Sequence, residues 1–118
     1  MYNEHTIKVS KKGKMKLPKS LIAKYGSDKL YISVKPQDAH LQAYTPARWE
    51  IVQAMLDSLP ETRVNTAKRR YILSSTYIVD IRKTGIIIPL SLLKYASITD
   101  KAIIKENNEG FEIQGIGR

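Results

Sequence analysis

Residues 6–25 read Thr6-Ile7-Lys8-Val9-Ser10-Lys11-Lys12-Gly13-Lys14-Met15-Lys16-Leu17-Pro18-Lys19-Ser20-Leu21-Ile22-Ala23-Lys24-Tyr25, and residues 78–95 read Ile78-Val79-Asp80-Ile81-Arg82-Lys83-Thr84-Gly85-Ile86-Ile87-Ile88-Pro89-Leu90-Ser91-Leu92-Leu93-Lys94-Tyr95. Both carry the same order of features: an alternating strand, a basic turn with glycine, an apolar strand, a proline and a short helix. From Met15/Ile86 through Leu17/Ile88, Pro18/Pro89 and Leu21/Leu92 the copies lie 71 residues apart. Ile7/Val79, Val9/Ile81 and Gly13/Gly85, before that point, lie 72 apart. The second copy is therefore one residue shorter at its turn, and this alignment leaves Lys14 without a counterpart.

Each feature has a physical cause. Ile7 and Val9 alternate with Lys8 and Ser10, as a strand with one buried face requires. Gly13 is free to take the positive φ of a turn. Met15 and Leu17 fall on one face of the next strand, and Lys12, Lys14 and Lys16 on the other. Pro18 stops the ladder and suits the first turn of a helix. Leu21 and Ile22 supply that helix's buried face, with an end near Gly26. Strands are expected at Leu30-Tyr31-Ile32-Ser33-Val34 and His40-Leu41-Gln42-Ala43-Tyr44, around a turn at Pro36-Gln37-Asp38. The second copy repeats this with Ala102-Ile103-Ile104-Lys105, the turn Asn107-Asn108-Glu109-Gly110, and Phe111-Glu112-Ile113. One copy alone has too little to bury. Two copies predict an α+β, mainly β domain of two half-units, interleaved around a pseudo-two-fold axis, with short helices between them.

Those helices follow Thr45-Pro46, a cap and a first-turn proline. Trp49, Val52, Leu56 and Leu59 make the apolar stripe of the first, which Pro60 ends. The second is expected over Thr66-Ala67-Lys68-Arg69-Arg70-Tyr71-Ile72-Leu73, with Lys68-Arg69-Arg70 as a solvated face. The organisation predicted is one domain over 1–118: a first repeat at 5–44, a helical linker at 45–75, a second repeat at 76–114, and a frayed tail at 115–118.

Composition narrows the chemistry. The chain has 118 residues, with 20 Lys+Arg against 11 Asp+Glu and a formal net charge of +9. Such an excess suits a polyanionic partner. There is no cysteine, which excludes disulfides and thiol chemistry, and only His5 and His40 are present. These two are too isolated in the sequence for a metal site, and structural or surface roles are expected. No apolar run approaches the about 20 residues of a membrane span. Met1-Tyr2-Asn3-Glu4-His5 lacks the pattern of a signal peptide, so a cytoplasmic protein is expected. Nothing supplies a nucleophile with its base, so no enzyme, cofactor, metal or small-molecule substrate is expected.

The ordered set of features resembles the MraZ family of bacterial transcriptional regulators, whose halves are AbrB-like swapped-hairpin units. The family's half-motif is Asp-x-x-Gly-Arg-h-x-h-Pro, with h apolar. The first copy matches with Gly13, Met15, Leu17 and Pro18, and has Ser10 and Lys14 at the Asp and Arg positions. The second matches with Gly85, Ile86, Ile88 and Pro89; its Arg position is either deleted or filled by Gly85. The linker is similar too, in Tyr44-Thr45-Pro46, Trp49, Ser58-Leu59-Pro60 and Arg69-Arg70-Tyr71-Ile72-Leu73. The family adds a helix after the strand matching Phe111-Glu112-Ile113, and this sequence ends five residues after Ile113.

The resemblance implies a nucleoid-associated regulator that represses cell-division and cell-wall genes. It would bind direct repeats in double-stranded DNA as a homo-oligomer, with rings possible. It also implies that the basic turn residues touch DNA: Lys11, Lys12, Lys14 and Lys16 in the first copy, Arg82 and Lys83 in the second. Seven lysines, Lys8 to Lys24, run with no acid between them. Such a run also guards an edge strand against aggregation; with the resemblance, phosphate binding is the reading adopted. Ile86-Ile87-Ile88 is apolar on both faces, so the second turn is expected to be partly hidden and the first to dominate. Two other readings stay open: an AbrB-like antitoxin, and a diverged oligomer with weakened DNA binding.

Overall fold

Prolines set the punctuation of both halves. Pro18 and Pro89 have no N–H to give a sheet, and each stands at the cap of a short helix with nearly the same backbone angles, φ −59 ψ 143 and φ −56 ψ 144. The computed structural model describes residues 4–25, 28–35, 38–83 and 85–116. Its strands are β1 (Glu4–Lys8), β2 (Lys14–Lys16), β3 (Lys29–Lys35), β4 (His40–Tyr44), β5 (Tyr77–Asp80), β6 (Gly85–Ile87), β7 (Lys101–Asn107) and β8 (Gly110–Gly115). The helices are α1 (Lys19–Lys24), α2 (Pro46–Asp57), α3 (Arg63–Ser74) and α4 (Leu90–Tyr95). Among the described residues no helix is long and apolar enough to cross a membrane.

The architecture is α+β with mainly antiparallel sheet. Six strands run in the order β1-β7-β8-β4-β3-β5, and β2 pairs with β6 in a separate ribbon. Replacing each strand of β1–β4 by the one four places later, and the reverse, leaves these pairings unchanged. Two pairs lie at the centre of that exchange: Met15 faces Ile86 and Gln42 faces Glu112. The core lies between ribbon and sheet. Met15, Leu17, Ile86 and Ile88 from the ribbon side join Ile32, Leu41, Ile104, Phe111 and Ile113 from the sheet, and Leu21, Leu92 and Leu93 from α1 and α4.

α2 and α3 lie outside this core. Thr45 Oγ1 accepts from Arg48 N–H at 3.2 Å, and Thr62 Oγ1 from Asn65 N–H at 3.1 Å, so both helices begin on a threonine cap. The second begins earlier than Thr66 because Thr62 provides that cap. Trp49 anchors α2, its ring 5.5 Å from that of Tyr31 and 5.5 Å from that of Tyr44. Arg48 makes a two-pronged bond to Glu109 at 2.6 and 2.7 Å, tying α2 to the β7–β8 turn.

Several expectations change. Ile87 is 59% exposed while Ile86 and Ile88 are buried, so β6 is two-faced and its turn is open, not hidden. Gly115 belongs to β8, so the tail is not frayed from its first residue. Gly26, Pro36, Gln37, Gly117 and Arg118 lie outside the described residues. The unmatched turn residue is also reassigned. Ser10 N–H donates to Lys14 O at 3.0 Å, and Arg82 N–H donates to Gly85 O at 2.8 Å. Lys14 and Gly85 are therefore equivalent, and the surplus residue is within 11–13. Gly13 has φ +84, whereas in the second turn it is Lys83 that takes a positive φ, of 50.

A Cβ on Gly13 would collide with the Ile88 carbonyl oxygen, and the positive φ adds strain. Gly13→Ala is therefore expected to lower unfolding free energy by about 2–3 kcal/mol in urea titrations. Gly85 has ordinary space at 3.4 Å for a Cβ. Gly85→Ala should change stability by less than about 1 kcal/mol, which separates the two glycines' roles.

Candidate nucleic-acid interface

The first hairpin is shaped by Ser10. Its hydroxyl oxygen accepts from Lys14 N–H at 3.0 Å and Lys12 N–H at 3.3 Å, and its carbonyl from Gly13 N–H at 2.9 Å. A short acceptor side chain is what this position needs, and serine supplies it. Gly13 O then accepts from Ile88 N–H at 2.9 Å, which fixes the hairpin to the other half of the chain. On this frame Lys11, Lys12, Lys14 and Lys16 are all exposed, with Met15 and Leu17 buried between and beyond them. The face predicted for Lys14 and Lys16 is the one observed; Lys11 and Lys12 sit in the turn itself.

The second set does not join the first. In the β2–β6 register the first turn adjoins Lys14, opposite Ile87, and the second adjoins Gly85, opposite Lys16. The two turns thus occupy opposite ends of the ribbon. Electrostatics separate them further. Arg82, its side chain 85% exposed, lies 3.6 Å from Asp80. No ion pair holds Lys11, Lys12, Lys14 or Lys16 among the described residues. The family's arginine position in the second half is occupied by Gly85, and the Lys14 chain passes over it: a Cβ there would lie 3.8 Å from Lys14 Cε.

Two lysines outside the hairpin complete the basic surface. Lys8 of β1 and Lys101 of β7 line a groove of about 550 Å³ together with Val9, Ser10, Lys14, Lys16 and Asp100. Lys101 gave no signal in the sequence, because its place depends on β1 pairing with a strand about a hundred residues away.

Other charged clusters are structural braces. Asp38, His40 and Glu112 bring possible ligand atoms within 4.8 Å of one another. The Lys35 ammonium already stands 3.1 Å from Glu112 and 3.5 Å from Asp38, and His40 Nδ1 lies 2.9 Å from Glu112. His40 is therefore not isolated; sequence missed this because Glu112 is 72 residues away. Arg69 is not part of a solvated face either. It donates to the Leu56 and Leu59 carbonyls at 3.0 and 3.4 Å and so caps the end of α2.

Glu106 is buried, and Lys24 Nζ lies 2.9 Å from it, with Tyr25 O–H at 3.4 Å and His5 Nε2 at 3.8 Å. The Lys24 hydrogen bond, against the opposing effect of burial, holds its carboxyl below the usual carboxylate range. A lowered folded-state pKa gives stability that is present above the unfolded value and lost as pH falls through the folded one. In denaturant titrations Glu106→Gln should therefore be less stable than the parent at pH 7, with the gap closing toward pH 3.

No protein-family model matches the chain. It is 28% identical over 114 residues to the transcriptional regulator MraZ of Marinomonas sp. (strain MWYL1), covering 92% of this chain and 76% of that one. It is 32% identical over 103 residues to the transcriptional regulator MraZ of Pelotomaculum thermopropionicum (strain DSM 13744 / JCM 10971 / SI), covering 86% and 70%. The MraZ of Lactiplantibacillus plantarum (strain ATCC BAA-793 / NCIMB 8826 / WCFS1) is 28% identical over 106 residues, covering 88% and 74%.

Proposed function

Because the chain belongs to the MraZ family of transcriptional regulators, we propose that it binds double-stranded DNA sequence-specifically and represses cell-division and cell-wall genes. The observation that carries this is the first hairpin, where Lys11, Lys12, Lys14 and Lys16 stand exposed with no ion-pair partner among the described residues. A row of unpaired ammonium groups gains from phosphate neutralisation and counterion release. Lysine is a point charge, without the two-pronged contact arginine makes to guanine. Affinity at one hairpin is thus mainly to the backbone, and selectivity comes from matching several subunits to direct repeats.

The working form in this reading is a homo-oligomer, possibly a ring, acting on the nucleoid in the cytoplasm. Each subunit is two swapped-hairpin units, 5–44 and 76–114, joined by the helical segment 45–75. The exchange-invariant pairings support that division. The second hairpin contributes less, since Gly85 stands at its arginine position and Asp80 offsets Arg82.

Fluorescence anisotropy with labelled duplex DNA, at low and at physiological salt, tests the reading. Affinity should fall steeply with salt. Absence of salt-dependent binding at low ionic strength would refute it.

A further inference from the structure

Lys8 and Lys101 face each other directly across the antiparallel β1–β7 pair. Like charges in that register destabilise a sheet. Four residues along the same two strands the arrangement is complementary: Glu4 faces Lys105, with 3.5 Å between their charged atoms. At the other end of β1 the sheet thus carries two facing cations, and neither has an ion-pair partner among the described residues. Lys14 and Lys16 reach the same groove from β2, so four lysines surround it against the single carboxylate of Asp100. Asp100 itself accepts from Thr99 Oγ1 at 3.2 Å. Between the lysines the groove is lined by Val9 and Ser10, with no planar donor suited to a base edge.

We propose that this groove is a phosphate channel that carries the DNA contact from the hairpin onto the edge of the large sheet, with Lys8 and Lys101 each neutralising one backbone phosphate of duplex DNA. The inference rests on the DNA-binding reading and extends its footprint to two strands from opposite halves of the chain. The repulsion between Lys8 and Lys101 is relieved only when the polyanion is present, so these residues act on affinity and salt dependence and not on sequence choice.

The test is an anisotropy salt series on the full chain with labelled duplex DNA, comparing the parent with Lys8→Ala, Lys101→Ala and Lys68→Ala. Lys68 is exposed on α3, away from the groove, and controls for net charge. Each groove variant should weaken binding roughly threefold at physiological salt and reduce the log–log salt slope by about one; Lys68→Ala should leave the slope unchanged. Lys101→Glu should weaken binding further while keeping or raising the melting temperature, since it would give Lys8 a cross-strand partner. Unchanged slopes in both groove variants, with Lys14→Glu still weakening binding strongly, would overturn the channel and leave the DNA-binding reading standing. An equal slope loss in Lys68→Ala would overturn the channel as well. So would displacement of DNA by inorganic phosphate beyond its ionic-strength effect, which marks an isolated anion site. No binding by the parent would overturn both readings.

Discussion

Lys14→Glu will weaken duplex DNA binding by roughly thirty- to a hundredfold at low salt, equivalent to about 2–3 kcal/mol, and Arg82→Glu by less than tenfold. Lys14 is exposed on the ribbon face that also carries Lys16, and it borders the lysine-lined groove. Reversing its charge removes one phosphate contact and sets a carboxylate against the neighbouring phosphates, so the loss exceeds that of simple deletion. Arg82 starts from a weaker position, because Asp80 at 3.6 Å already offsets its charge. Both side chains are exposed, so neither change should alter the fold by more than about 0.5 kcal/mol. Circular dichroism checks that, and anisotropy titration reads the binding. Equal losses, or a greater loss for Arg82→Glu, would contradict the asymmetry between the two hairpins.

Phe111→Ala will cost about 3–5 kcal/mol of stability, a large part of the total for a domain of this size. Phe111 is 1% exposed and faces Ala43 across the β4–β8 pair, with the Tyr25 ring stacked 6.0 Å away. Alanine there would leave a void walled by both halves of the chain, and the sheet cannot close over it without shifting β4. Urea unfolding followed by circular dichroism should show a much lower midpoint at unchanged slope. Ile87→Ala removes a side chain that is 59% exposed, so it should change stability by only about 0.5 kcal/mol. Comparable losses for the two would mean that the core is not where the sheet and ribbon meet.

What the sequence made legible was local. Alternation in Lys14-Met15-Lys16-Leu17 fixed which face is basic, and Pro18 and Pro89 fixed where the short helices begin. The Thr45-Pro46 start and the Trp49 stripe of α2 were readable for the same reason. The unreadable parts are those in which distant segments decide the environment. Ile87 looked buried because its neighbours are, yet period-two geometry turns it to solvent. The turn alignment went wrong at Gly13/Gly85 because glycine identity outweighed hydrogen-bond register: Lys83, a non-glycine, adopts the positive φ of the second turn. Lys101 became part of the basic surface, and Glu112 a partner of His40, only through pairings between halves.

The exchange-invariant pairing also constrains how the chain reaches its native state. When the first half leaves the ribosome, β1, β2 and one edge of β3 have no partners, because these are β7, β6 and β5. The β3–β4 hairpin and the local turn that joins Ser10 to Lys14 can close early; Glu4 must wait for Lys105. Such long-range closures slow folding. A nascent chain therefore keeps its basic, half-apolar ribbon strand without a sheet partner until β5 to β8 have been made.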